Sequence, residues 1–295
     1  VNPRYGLKPL HSTPLNIRPL MTQAHFETLP SGIRYRHWQP TVAARATVLL
    51  IHGLGEHSGR YQEVAAALNA RGFAVVAPDH LGHGESPGHR VFVNHFDDYL
   101  AGVRDCRQVL AQSYPDLPCF VLGHSMGGLI TARLLLEDQE KYCGALFSGP
   151  AFAAAEVPPA PVMWIGRLLA KLMPRAGMLA LDGSGVSRDP VVVAAYEADP
   201  LVNHGKVTAG LGIALFDAMD RVMTEASSLT LPMLIMHGGA DTLAAPIGSE
   251  TFAAKVGATD LTFKVLPDLY HEIFNEPEGA DIIRQYADWI ETRLP

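Results

Sequence analysis
A serine with a glycine two residues to either side, in Gly123-His124-Ser125-Met126-Gly127, is the position in this sequence best suited to covalent chemistry. The apolar run 119–122 before it and the helical spacing after it predict a sharp strand-to-helix turn that holds the serine hydroxyl out at the edge of a sheet. The flanking glycines let the strand and helix backbones approach closely while the central residue takes the strain. A hydroxyl is a weak nucleophile at neutral pH, so it needs a histidine to take its proton and an acid to fix that histidine's tautomer. Both stand in loops that follow apolar runs. Asp241 comes after 233–236 through His237-Gly238-Gly239-Ala240, and His271 after 261–266 through Pro267-Asp268-Leu269-Tyr270. In a doubly wound sheet such loops gather outside the carboxyl ends of the strands, where Ser125 also sits.

Each residue has a plainer reading. Ser125 alone would be a turn serine, although a strained elbow between glycines has no obvious packing purpose. Asp241 would be an Asx residue capping its own loop. The chain has 13 histidines, and His52, His124 and His237 also lie at strand ends on the same rim. None of these three follows the last strand, which is why His271 leads.

Acyl chemistry also needs two donors for the oxyanion. One is the N–H of Met126, the residue after the serine, at the positive end of the following helix. The other is expected in the loop His52-Gly53-Leu54-Gly55-Glu56-His57, whose glycines allow amides to turn inward, with Leu54 as the candidate. Glycines making only a tight turn would leave the adjoining Glu56, His57, Ser58, Arg60 and Tyr61 without a role. Residues 79–86 form another glycine-rich loop, but the irregular spacing of His80 and His83 speaks against a metal site. No loop has dinucleotide or phosphate-loop spacing, and serine chemistry calls for no metal or organic cofactor.

Short, almost continuous apolar runs at 47–51, 74–77, 119–122, 145–147, 233–236 and 261–266 read as strands covered on both faces. Helical patterns at 61–70, 96–113, 126–140, 249–256 and 280–294 alternate with them, which predicts a mainly parallel, doubly wound α/β sheet. A hairpin over 24–28 and 33–38, turning at Pro30-Ser31-Gly32, precedes it. The rhythm breaks between Phe147 and Met233, an interval far longer than the roughly dozen residues a parallel crossover requires. A sub-domain inserted at 149–226 is therefore expected, dividing a core of 21–148 and 227–295. Pro150, Pro158, Pro159 and Pro161 open it and suit a hinge. Beyond them Val162, Ile165, Leu168, Leu169 and Leu172 share a helical face, with Arg167 and Lys171 on another. That is either a helix packed into the core of the insertion or a lid helix turning its apolar side to lipid.

A chain of 295 residues with 48% apolar and 18% charged residues has the make-up of a globular enzyme rather than a disordered tail. The net charge of −7, with no dense Lys/Arg cluster, argues against a nucleic-acid partner. Cys106, Cys119 and Cys143 are odd in number and lack metal spacing, which favours reduced, buried thiols and a cytoplasmic setting. No apolar stretch reaches the ~18 residues that mark a membrane-spanning helix. Residues 1–20 carry Pro3, Pro9, Pro14 and Pro19 but no acid and no signal-peptide core. They read as an extension upstream of a natural start at Met21, the alternative being an arm packed on the surface.

Taken together, His52-Gly53-Leu54-Gly55-Glu56-His57-Ser58-Gly59-Arg60-Tyr61, residues 79–86, Gly123-His124-Ser125-Met126-Gly127-Gly128, Gly239-Ala240-Asp241 and Tyr270-His271-Glu272 resemble the monoacylglycerol lipase and lysophospholipase group of the α/β-hydrolases. The first segment is the narrowest match, whereas the serine segment is shared with many esterases and peptidases. The resemblance implies an α/β-hydrolase fold whose insertion is a helical cap over an apolar acyl channel. It also implies Ser125, Asp241 and His271 as catalytic triad, Leu54 and Met126 as oxyanion donors, and Tyr196 and Glu197 as contacts for a glycerol head group. Read alone, Tyr196 and Glu197 would be ordinary cap surface. One departure is Ala244, which stands where a bulkier apolar residue is expected and bears on local packing. The implied activity is release of fatty acid and glycerol from monoacylglycerols and related small esters, with transient contact between cap and membrane surface. The rivals are a capped aminopeptidase holding a substrate amine through Glu156, Asp182, Asp189, Glu197 or Asp199, and a non-catalytic binder of apolar ligands.

Overall fold
In a computed structural model of the chain, residues 24–156, 158–180 and 182–294 are described, and the expected N-terminal extension lies outside them. Strands β1 (His25–Thr28) and β2 (Arg34–Trp38) form the hairpin, with His25 opposite His37 and Thr28 opposite Arg34. The alternating part follows as β3 (Ala46–Ile51), α1 (Gln62–Ala70), β4 (Phe73–Pro78), α2 (Asp98–Ser113), β5 (Cys119–His124), α3 (Met126–Asp138) and β6 (Gly144–Ser148). The chain then leaves the sheet for α4 (Ala160–Leu172), β7 (Gly177–Ala180), α5 (Pro190–Ala198), β8 (Lys206–Thr208) and α6 (Ala209–Glu225). It returns as β9 (Met233–Gly238), α7 (Pro246–Lys255), β10 (Leu261–Leu266) and α8 (Gly279–Glu291).

The main sheet runs in the order β1-β2-β4-β3-β5-β6-β9-β10, and every pairing from β4 to β10 is parallel. From β3 the chain first steps to one side, to β4, and then to the other, to β5. The loops leaving β3 and β5 therefore part in opposite directions and open a crevice at the carboxyl ends of the strands, where open α/β sheets bind ligands. Side chains alternate across the sheet with the period of two that a strand imposes. Leu49, Ile51 and Val121 join a cluster with Leu100, Val103, Leu129 and Leu134, whereas Val48, Leu50, Phe120 and Leu122 join one with Leu68, Ile283, Tyr286 and Ile290. Helices thus cover both faces, and the rim carrying Ser125 rests on a rigid layer.

Three expectations change. β10 is the edge of the sheet, so its side chains are half-buried rather than covered on both faces. Pro161 does not hinge the chain but lies in the first turn of α4, where its missing N–H has no helical acceptor to lose. Cys106 and Cys119 are buried free thiols, whereas Cys143 is exposed because it stands just before β6, on the opposite end from the rim. Ala244 finds its explanation: it is buried in an antiparallel bridge with Ala154, and Ala245 N–H donates to Ala153 O at 3.1 Å, so two backbones meet where a larger side chain would separate them.

Candidate active site
Ser125 stands between β5 and α3 with φ 53° and ψ −123°, a conformation that costs a non-glycine residue about 1–3 kcal/mol and persists only when its surroundings enforce it. They do so through the backbone. Ser125 N–H donates to Ser148 O at 3.0 Å, and its carbonyl accepts from Gly128 N, 2.9 Å, and Ala151 N, 2.9 Å. Gly127 lets α3 cross the end of β3: a Cβ there would sit 2.1 Å from Ile51 O and 2.4 Å from His52 O.

Asp241 and His271 meet across the loops after β9 and β10. Asp241 Oδ2 accepts from His271 Nδ1 at 2.6 Å, and Oδ1 accepts from the N–H groups of Leu243, 2.8 Å, and Ala244, 3.0 Å. Gly149 makes room for the pair, because a Cβ on it would lie 2.9 Å from His271 O and 3.6 Å from Asp241 Oδ2. Burial alone would lower the basicity of His271 and weaken the acidity of Asp241. Their mutual attraction outweighs it, so His271 is raised above the ordinary histidine value while Asp241 is held well below the carboxylate range.

Ser125 and His271 line one cavity of about 80 Å³ together with Leu54, Met126, Tyr196, Leu215, Met219 and Leu243. A larger cavity, about 530 Å³, lies on the other side of α6 between Phe92, Arg133 and Ile213, and it holds none of these groups. Leu54 and Met126 are thus beside Ser125, and Met126 is the first residue of α3, whose leading N–H groups lack helical acceptors. Tyr196 reaches the cavity from α5. Glu197 does not: it is exposed and its carboxylate lies against Gly183, because successive helical positions are about 100° apart.

The polar cluster after Leu54 is a buried charge network. Arg60 makes a two-pronged pair with Glu272, at 2.5 and 2.7 Å, and also reaches Glu56 Oε2 at 2.9 Å. Glu56 Oε1 accepts from Gly53 N, 2.6 Å, and Tyr61 OH, 2.6 Å, which fixes the loop carrying Leu54. The same loop is tied to the segment between β6 and β9 by His57 Nε2 to Asp199 Oδ2, 2.9 Å, by Asn203 N to Gly55 O, 2.7 Å, and by Arg60 stacked 4.8 Å over the Tyr196 ring. Sequence reasoning named Glu56, Arg60 and Tyr61, quoted Glu272 in its motif without giving it a role, and missed Leu215 and Met219. The signal for the last two was present, since Leu211, Leu215, Ala218, Met219 and Val222 recur at helical spacing.

The remaining rim histidines take other places. His52 and His80 bond to backbone carbonyls, as does His83, and burial lowers all three, His80 to about 3 and His83 to about 4. His124 Nδ1 donates to Ser148 O at 2.9 Å, and burial followed by the nearness of His271 lowers it to about 3, so it adds no positive charge beside His271. His237 bonds to Asp241 itself, at 3.0 Å.

A mainly parallel sheet with helices on both faces, a strained serine after its central strand and an acid–histidine pair after its last two strands define an α/β-hydrolase. Residues 42–278 match the serine aminopeptidase family S33. A monoacylglycerol lipase of Mycolicibacterium smegmatis is 40% identical over 265 residues, covering 89% of this chain and 95% of that protein. The monoglyceride lipase of Homo sapiens is 32% identical over 261 residues, covering 88% and 86%. A crystal structure of Paleococcus ferrophilus monoacylglycerol lipase aligns with a TM-score of 0.80 at 31% identity, covering 88% of this chain and 99% of that one. The chain belongs to the monoacylglycerol lipase group of this hydrolase family.

Proposed function
We propose that the protein is a serine carboxylester hydrolase that releases fatty acid and glycerol from monoacylglycerols. The observation that carries this reading is the buried Asp241–His271 pair opening on the same cavity as Ser125, in a chain similar along most of its length to monoacylglycerol lipases. Ser125 Oγ attacks the ester carbonyl as His271 Nε2, the nitrogen not bonded to Asp241, takes its proton. The imidazolium so formed is stabilised by Asp241. Negative charge on the carbonyl oxygen is met by the N–H groups of Leu54 and Met126. His271 returns the proton to the departing glycerol oxygen, and water repeats the sequence on the acyl-enzyme.

Residues 149–226 act as the cap, whose Leu215 and Met219, with Leu243 of the core, offer an apolar wall to the acyl chain, and Tyr196 stands at the polar end. A space of about 80 Å³ is well below the ~300 Å³ and more of ordinary ligand pockets, so entry of an acyl chain requires the cap to shift. The outer face of α4 supports a membrane-surface contact, because Val162, Trp164, Ile165, Leu168 and Leu172 are all exposed. Among the described residues no helix is long and apolar enough to cross a membrane. Of the acidic cap residues named for an aminopeptidase, only Asp182 lines the cavity, and it already accepts from Ser184 N; Asp189 caps α5, Asp199 pairs with His57, and Glu156 and Glu197 are exposed outside the cavity.

Rates on 1-monooleoylglycerol, p-nitrophenyl butyrate and a proline arylamide test the proposal. Turnover is expected on both esters, with 1-monooleoylglycerol preferred. Preference for the arylamide would overturn it, and failure of a fluorophosphonate to label Ser125 would revive a non-catalytic role.

A further inference from the structure
Asp241 is held by two histidines, and ester hydrolysis as described uses only one. His237, near the end of β9, is fully buried, and its Nε2 faces two acceptors, Asp241 Oδ2 at 3.0 Å and Ala244 O at 3.1 Å. A ring nitrogen facing a carboxylate and a carbonyl must carry the proton. In the neutral ring Nδ1 is then the acceptor, and Ser249 Oγ of α7, also fully buried, lies 2.7 Å from it. Ser249, His237, Asp241 and His271 thus form a chain running from α7 to the cavity. The carboxylate is saturated, with two backbone N–H groups on Oδ1 and two imidazole N–H groups on Oδ2.

We propose that His237 is a positioning residue for the hydrolysis, acting through Asp241; this rests on the reading that Ser125, Asp241 and His271 perform the reaction. The two histidines compete for one oxygen. The N–H of His237 draws charge from Oδ2 and so weakens the grip of Asp241 on the imidazolium of His271. Without it, Oδ2 would hold the proton on His271 more tightly and leave less of the neutral base at a given pH. The same bond, with the two on Oδ1, prevents the carboxylate from rotating away from His271 Nδ1. The other ionisable groups around His271 are His124, Glu272 and Glu56 and, across the cavity, Asp182 and Tyr196 of the segment between β6 and β9; among the described residues only Asp241 bonds to its ring.

The test is the pH dependence of kcat and kcat/KM on p-nitrophenyl butyrate for His237→Leu, His237→Asn and His237→Gln. Leu offers no donor, Asn is too short to reach Oδ2, and the longer carboxamide of Gln can place an N–H where Nε2 stands. The Leu and Asn variants are expected to move the acidic limb of kcat/KM upward by as much as about one pH unit, the equivalent of one net hydrogen bond. Their kcat is expected to fall about fivefold with KM little changed. Gln is expected to restore both. Should His237→Leu lose its cooperative thermal transition, the Asn and Gln pair decides the matter. A wild-type limb and wild-type kcat in a folded Leu or Asn variant overturns the proposal, because a merely structural residue would change stability without moving the limb. Ser125→Ala and His271→Gln assayed alongside separate the two levels: activity retained in those variants removes the triad itself, whereas its loss there with unchanged His237 variants removes only the role of His237.

Discussion

Around Ser125 the molecule buries charge and satisfies it, while along α4 it exposes apolar side chains and leaves them uncovered. Arg60, Glu56 and Glu272 have side chains only 11%, 5% and 6% exposed, and each is paired. On α4, Trp164 and Leu172 are 66% and 68% exposed, and Gly166, packed against Ile213 of α6, is the helix's one buried residue. Folding free energy favours neither choice: a buried ion network costs desolvation, and an exposed apolar face gives up its burial. The rim gains fixed geometry in return, which acyl transfer needs. Among the described residues nothing covers the face of α4, and that is the observation behind the proposed contact with a membrane surface.

The sharpest separation of the two regions comes from Ser125→Ala. It is expected to lower kcat/KM on p-nitrophenyl butyrate by about 10⁴-fold or more while leaving the fold intact, since alanine keeps the Cβ and the backbone hydrogen bonds that hold the turn. Steady-state rates paired with a thermal melt check both halves. A variant keeping a tenth of its activity would take Ser125 out of the reaction.

Removing Arg60 tests how far the rim depends on pairing. Arg60→Met leaves Glu56 and Glu272 buried without their cation and is expected to destabilise the protein by about 3–5 kcal/mol, measured by urea unfolding. If instead the loss stays below about 1 kcal/mol, the network is no more than a surface ion pair in its effect.

The rim was legible where chemistry imposes local spacing and illegible where it does not. The glycines around Ser125 and the strand-end positions of Asp241 and His271 each follow from backbone geometry at their own turn. Arg60 and Glu272, by contrast, are 212 positions apart, and nothing near either residue announces the other. In the segment between β6 and β9, the spacing of α4 was readable but its orientation was not. The same stripe of Val162, Ile165, Leu168 and Leu172 fits burial in the insertion and an uncovered surface, and the packing of Gly166 on Ile213 leaves it exposed. β7 and β8 are too short to show a period, and β8 passes directly into α6 at Thr208, which caps it.

The protonation of the rim gives a smaller, graded effect. His271 is raised above the ordinary histidine value near 6.5 and must be neutral to accept the serine proton, so the acidic limb of kcat/KM is expected above that value. The stability it contributes through Asp241 runs the other way. A raised histidine stabilises most below its unfolded pKa and loses that contribution as pH rises through its folded value, whereas the depressed Asp241 contributes above its unfolded value and loses it as pH falls. His271→Gln should therefore cost less stability at high pH than near neutrality, as read from unfolding curves across the pH range. A pH-independent cost would mean that the pair does not titrate as a pair.

The smallest effect on the folded protein, and the one that completes the contrast, belongs to α4. Replacing Val162, Trp164, Ile165 and Leu168 together by serine removes large side chains that are 43% to 66% exposed, so each is expected to change stability by no more than about 0.5 kcal/mol. Hydrolysis of p-nitrophenyl butyrate, which needs no interface, should be unchanged, because none of the four lines the cavity at Ser125. Co-sedimentation with neutral phospholipid vesicles should fall sharply, since these side chains supply the apolar area available for insertion. Arg167 would not compensate, being already paired with Asp217 on α6 at 2.7 Å. Unaltered vesicle binding would place the contact elsewhere on the surface and leave the exposed face of α4 without the lipid role assigned to it.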